Sequence, residues 1–146
     1  MNYAVASPAI AGRPGTDRTL WTRRALSGLV ILFLTFDGLI KLAPLEVVTQ
    51  TIAALGWPAD AGTARMLGLL TLGGTLLYAL PRTALLGAIL LTAYFGGAIA
   101  THVRIGSPLL SHSLFGVYLG LMMWGGLCLR DPRLRALLPL TPELRS

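Results

Sequence analysis

Four long apolar stretches, joined by short polar connections, occupy this chain from Ala25 to Leu129. They run Ala25–Ala43, Ala64–Leu80, Thr83–Thr101 and Ser113–Leu129, each about 17–19 residues long. At about 1.5 Å rise per residue, a helix of that length nearly matches a hydrocarbon core of about 30 Å. Lipid offers no hydrogen bonds to an open backbone, so a spanning segment of this kind must be helical. The expected fold is all-α: an integral membrane four-helix bundle.

Composition agrees. Of 146 residues, 54% are hydrophobic and 12% charged, with a mean hydropathy of +0.69. A soluble domain carries about 25% charged residues. The spans and their connections, Ala25 to Leu129, take 105 of the 146 residues, so no second folded domain is expected beside them. The chain divides into a disordered basic tail (1–22), the four-span domain (23–130) and a second basic tail (131–146). The first tail holds Gly12-Arg13-Pro14-Gly15 and little that could fold. The first apolar run is span-length and closes with Lys41-Leu42-Ala43-Pro44 rather than a small-residue cleavage site, so it is expected to stay attached.

The net charge of +6 would suggest a nucleic-acid partner in a soluble chain. Here the cations sit at span ends, where they act as topology signals and lipid-headgroup contacts, and no nucleic acid is expected. Arg13, Arg18, Arg23 and Arg24 precede the first span, Arg130, Arg133, Arg135 and Arg145 follow the last, and Arg82 lies between the second and third. Four crossings put these nine on one side and only Lys41, Arg65 and Arg104 on the other. Both termini are therefore expected in the cytoplasm. Trp21 and Trp57 fall where interfacial anchors belong.

Between the first two spans, Leu45, Val48, Ile52 and Leu55 recur at helical spacing against Glu46, Thr49 and Gln50. This predicts a short amphipathic helix capping the outer end of the bundle. Asp60 or Thr63 can cap the second span. Leu80-Pro81-Arg82-Thr83 is a tight turn that makes spans two and three an antiparallel hairpin. Gly116 and Gly120 on span four, and Ala93 with Gly97 on span three, have the small-residue spacing that lets helices approach closely in lipid.

Asp37 stands out. It lies about 10 Å inside the outer edge of span one by helix rise. A carboxylate there costs roughly 2.5–3.5 kcal/mol, so it needs a partner or water. Lys41 follows four residues later on the same face. Topology brings Arg65, Tyr94, Thr101, His102, Arg104 and His112 to the same end of the bundle. The expectation is an outward-facing polar pocket, roofed by Leu45–Leu55. Interfacial placement of Arg65, Arg104 and the histidines, or an ion pair that only fixes the rotation of span one, would explain the same residues without a ligand. Two histidines are too few for a structural zinc site and sit at the rim rather than where haem would lie. No metal site is expected. No nucleophile elbow, phosphate-binding glycine loop or H-E-x-x-H motif is present, so no catalytic residue is assigned. The single cysteine, Cys128, cannot form an internal disulfide.

A family resemblance follows from several short motifs: Gly38-Leu39-Ile40-Lys41-Leu42, Leu55-Gly56-Trp57-Pro58, Arg65-Met66-Leu67-Gly68, Tyr78-Ala79-Leu80-Pro81-Arg82-Thr83, and Gly97 through Arg104. In order and spacing, from about Leu26 to Leu138, the chain resembles the DoxX-like family of small bacterial membrane proteins. Asp37 lies outside these motifs and rests on its depth alone. The resemblance implies a four-helix bundle in a bacterial plasma membrane. The wider group includes subunits linked to thiosulfate oxidation with quinone as acceptor, and others tied to oxidative-stress complexes or membrane-protein assembly. The leading expectation is an accessory subunit of a redox-linked system whose pocket holds a quinone, with electrons supplied by a partner protein. The alternatives are an assembly factor or scaffold that needs no small molecule, and a small transporter, with a homodimer possible in each case.

Overall fold

The computed structural model describes residues 14–43, 45–131 and 133–134. Most of the expected N-terminal tail, and all but three residues of the C-terminal one, lie outside them. Among the described residues the secondary structure is helical and no strand occurs. Helix α1 covers Pro14–Leu42. It starts earlier than the apolar stretch because Pro14 is suited to the first turn of a helix, and the arginines, threonines and Leu20 that follow are compatible with one. Residues 14–22 are thus helical where a disordered tail was expected. The helix stops two residues short of Pro44, whose ring disfavours helical backbone at Ala43.

Helix α2 (Glu46–Ala54) is the amphipathic segment. Val48 and Ile52, four residues apart, are buried against Ala64, with Ile40 and Leu67 beside them. Helix α3 (Ala61–Ala79) is capped by Asp60, whose carboxylate accepts the Thr63 N–H at 2.8 Å. It ends at Leu80, which is extended ahead of Pro81, and the Thr83 hydroxyl donates to the Leu77 carbonyl at 2.8 Å. Helix α4 (Ala84–Arg104) follows at once. A turn through Gly106 leads to a π-helical turn at Leu109–Ser113 and then to α5 (Phe115–Arg130).

Helix α1 packs on α3 and α5, and α4 packs on the same two helices. The core runs through Val30 and Leu34 of α1, Tyr78 of α3, Ala88, Leu91 and Phe95 of α4, and Leu119 and Met123 of α5. Glycines set the separations. A Cβ on Gly68 would stand 2.8 Å from the Gly38 carbonyl oxygen, so α1 and α3 cross backbone to backbone. A Cβ on Gly87 would collide with the Tyr78 and Leu77 backbone, which locks α3 to α4. A Cβ on Gly116 would stand 3.1 Å from the Ile99 side chain and one on Gly120 would stand 4.0 Å from Phe95, so these two lie at the α4–α5 contact. A buried polar knot ties three helices. The Tyr78 hydroxyl donates to the Met123 carbonyl at 2.9 Å and lies 3.1 Å from the Ser27 hydroxyl.

The outer surface is apolar. Leu32, Leu76 and Leu121 are 69%, 63% and 68% exposed, and many other large hydrophobic side chains join them. Soluble monomers do not carry an apolar belt of this extent. Three helical stretches, Leu20–Leu42, Ala84–Arg104 and Leu109–Arg130, are long and apolar enough to cross a membrane. Helix α3 has 19 residues, but Arg65 and its interspersed glycines and threonines lower its hydropathy.

Candidate functional site

One cavity of about 630 Å³ lies at the α2 end, between α1 and the α4–α5 pair. Helices α1 and α4 are not packing partners, and the space between them is this cavity. Helix α2 lies over it and contributes Val48 and Ile52.

Helical spacing explains which side chains reach the cavity. Phe33, Asp37 and Lys41 lie at successive i, i+4 positions and form one stripe of α1. Tyr94, Ala98, Thr101 and His102 form the facing stripe of α4. Gly97 sits in that wall, and a Cβ there would meet nothing within 4 Å. Expected to pack helices, it instead leaves volume in the cavity. His112 enters from the π-helical turn, and Phe115 and Leu119 from α5.

The polar groups are ordered in pairs. The Lys41 ammonium donates to Asp37 Oδ2 in an ion pair whose lysine and aspartate side chains are 18% and 29% exposed. Within one helix, this pair gives the deep carboxylate the partner it needs. The His102 and His112 rings are 5.7 Å apart between centroids. His102 Nδ1 lies 3.0 Å from the Ser107 hydroxyl, and His112 Nδ1 lies 2.7 Å from the Ser111 hydroxyl. Each serine fixes one ring nitrogen and leaves Nε2 as the second hydrogen-bonding atom of its ring. No group of three or more His, Cys, Asp or Glu side chains that could hold a metal ion occurs among the described residues. The Phe33 and Phe115 rings meet edge to face at 5.3 Å and join α1 to α5 along the wall.

Six of the eight residues expected in the pocket therefore line one cavity: Asp37, Lys41, Tyr94, Thr101, His102 and His112. Two do not. Helix α3 buries the stripe Ala64, Gly68, Thr71, Thr75 and Tyr78, and Arg65 projects about 100° away from it into an exposed position. Arg104 reaches past the cavity to α2, where its Nη2 donates to the Leu55 carbonyl at 2.8 Å. Gly56, at φ +78°, makes room for it, since a Cβ there would stand 2.6 Å from that nitrogen. Arg104 thus clasps the C-terminal end of α2. Of the aromatic lining, Phe33 was readable from its place four residues before Asp37, whereas Phe95 and Phe115 carry no such signal in spans that are apolar on every face.

Buried apolar packing, an apolar outer belt and a largely apolar cavity carrying a few polar side chains at one end define a small helical membrane protein with a ligand-sized chamber. The sequence model of the DoxX-like family matches residues 25–126, and the chain belongs to that family. The matched stretch includes every residue that lines the cavity. No curated protein and no solved structure matches the chain.

Proposed function

We propose that this protein is a ligand-holding subunit of a redox-linked membrane system, and that its cavity takes the head of a quinone or a like amphiphile. On this reading α1, α3, α4 and α5 all cross a bacterial plasma membrane as a four-helix bundle. Both termini lie in the cytoplasm, and the α2 end faces outward. The observation that supports it is the cavity's division into two kinds of surface. Phe33, Phe95, Phe115 and Leu119 offer apolar walls, while Lys41, Tyr94, His102 and His112 offer hydrogen bonds.

Those residues fit the group. A quinone carries carbonyl oxygens that accept hydrogen bonds on a flat apolar ring, and about 630 Å³ lies within the range of small-molecule pockets. The Lys41 ammonium donates to one carbonyl while Asp37 holds it in place. A histidine N–H serves the other, and the phenylalanines exclude water from the ring. When bound, a quinone supplies reversible two-electron, two-proton chemistry, with electrons coming from a partner protein. Asp37 and the histidines are the groups of this chain able to hold and release a proton beside it.

A second reading, membrane-protein assembly factor or homodimer, is favoured by a different surface. Gly96 and Ala100 are exposed four residues apart on α4, the spacing at which helices approach closely in lipid.

The test is mass spectrometry of lipophilic molecules that co-purify in mild detergent, for wild type, Asp37→Asn and Gly97→Leu. The leucine keeps every polar group and fills open cavity space. A quinone enriched over bulk lipid in wild type, and lost in both folded variants, is the expected result. No enriched molecule in any sample would overturn the pocket reading in favour of assembly.

A further inference from the structure

A second cavity, of about 510 Å³, lies at the opposite end of the molecule between α1, the end of α3 and the end of α5. Three guanidinium groups line it: Arg23 and Arg24 from α1, and Arg130 from the last turn of α5. Arg130 is held over the Tyr78 ring, 5.9 Å from its centroid, above the Ser27–Tyr78–Met123 knot. No carboxylate lines this cavity among the described residues. The neighbouring Asp131 is engaged otherwise, its Oδ1 accepting the Arg133 N–H at 2.9 Å. Like charges gathered in a partly enclosed space repel, and an anion relieves that repulsion.

The rest of the lining identifies the anion. Below the arginines the wall is Gly28, Ile31 and Ala79. Arg24, Gly28 and Ile31 are at i, i+4 and i+7, so they form one strip down α1. Gly28 is exposed, and a Cβ there would meet nothing within 4 Å. The cavity therefore continues from a cationic mouth into an apolar groove on the lipid-facing surface. Arginine pairs with phosphate oxygens through two parallel N–H bonds, and basic pockets between membrane helices suit phospholipid heads.

We propose that the Arg23–Arg24–Arg130 cavity binds the phosphate of an anionic phospholipid, with an acyl chain along the groove over Gly28 and Ile31. This site needs only that the chain sits in a bilayer and is independent of what fills the cavity under α2.

The experiment is native mass spectrometry of the full chain, released from mixed micelles containing equal phosphatidylglycerol and phosphatidylcholine. The wild type should retain phosphatidylglycerol in preference. Arg23→Gln and Arg130→Gln should each lower that preference about fivefold, the factor for one arginine near a lipid surface. Arg82→Gln removes an equal charge from the turn between α3 and α4, outside the cavity, and should change it less than twofold. Gly28→Leu keeps every arginine and should lower retention of the diacyl lipid while leaving binding of glycerol 3-phosphate unchanged. Arg130 touches Tyr78, so Arg23→Gln and Gly28→Leu carry the test if Arg130→Gln fails to fold. Equal retention of the two lipids by wild type would overturn the proposal, as would an Arg82→Gln effect equal to that of Arg23→Gln. Displacement of phosphatidylglycerol by equimolar inorganic phosphate would assign the site to free phosphate instead, and so would also overturn it.

Discussion

Gly87 and Gly96 lie nine residues apart on α4 and invite the same substitution with opposite results. At Gly87 an added Cβ would stand 2.6 Å from the Tyr78 Cα and 2.7 Å from the Leu77 carbonyl carbon, where ordinary contact is 3.4–4 Å. The obstacles are backbone atoms and cannot turn aside, so α3 and α4 must part by about 1 Å. A gap of that size forfeits a quarter to a half of the dispersion energy at each contact around it. Overpacking of this kind costs about 1–3 kcal/mol, offset by about 1 kcal/mol of helix propensity gained from alanine. At Gly96 nothing lies within 4 Å, and only the propensity gain remains. Gly87→Ala should therefore destabilise the protein while Gly96→Ala is neutral or stabilising, a difference of about 1–3 kcal/mol. Reversible unfolding in mixed micelles, followed by far-ultraviolet circular dichroism, measures it. Equal stability of the two variants would refute the backbone contact between α3 and α4.

Other outcomes follow from the same packing. Tyr78→Phe loses both hydrogen bonds of the polar knot and should cost about 1–2 kcal/mol, at roughly 0.6 kcal/mol and upward per interhelical bond. Combined with Ser27→Ala it should show less than additive loss, and strict additivity in a double-mutant cycle would deny the Ser27–Tyr78 bond. Arg104→Gln releases the Leu55 carbonyl, so amide exchange within α2 should quicken about fivefold while α3 is unchanged. Unaltered exchange in α2 would show that Val48 and Ile52 hold it alone. Asp60 is held below the usual carboxylate range, chiefly by the Thr63 N–H and then by the Thr63 hydroxyl. A depressed folded value means that ionised Asp60 stabilises α3 above the unfolded value of about 4, and that this contribution is lost as pH falls through the folded value. The stability difference between wild type and Asp60→Asn should thus shrink between pH 7 and pH 3, and a constant difference would contradict the cap.

Three of the four spans, the amphipathic α2, the Asp60 cap and the tight turn at Pro81 were legible because each rests on local chemistry: hydropathy, spacing, a capping carboxylate, a fixed ring. Most of the polar set at the α2 end was legible from topology, since helices that run antiparallel bring distant residues to one level. Helix rotation was not. Arg65 and Lys41 both sit near the same end, yet Gly68 turns α3 so that Arg65 faces outward while Lys41 lines the cavity. The close contacts were also hidden. Gly87 has only Thr83, at the cap of α4, four positions before it and Leu91 four positions on, whereas Gly97 has Ala93 and Thr101 on either side and lines open space. A glycine's role depends on what stands opposite, and one chain's sequence does not say. Tyr78 reads as one aromatic among apolar neighbours until Ser27 and the Met123 carbonyl are brought to its hydroxyl.

The Ser27–Tyr78–Met123 knot has a mechanical consequence. It pins α1, α3 and α5 together near one end, while the chamber lies toward the other. The helices are in effect long arms on a common fulcrum. From Tyr78 to Ala61, α3 extends about 25 Å, so a tilt of about 5° about the knot carries its far end through about 2 Å. Gly68 lies about 15 Å from the knot on the same arm, where that tilt would shift it about 1.3 Å against the Gly38 carbonyl. The backbone contact there opposes the sway, so α1 and α3 are riveted at two points, as the sides of a ladder are held by two rungs.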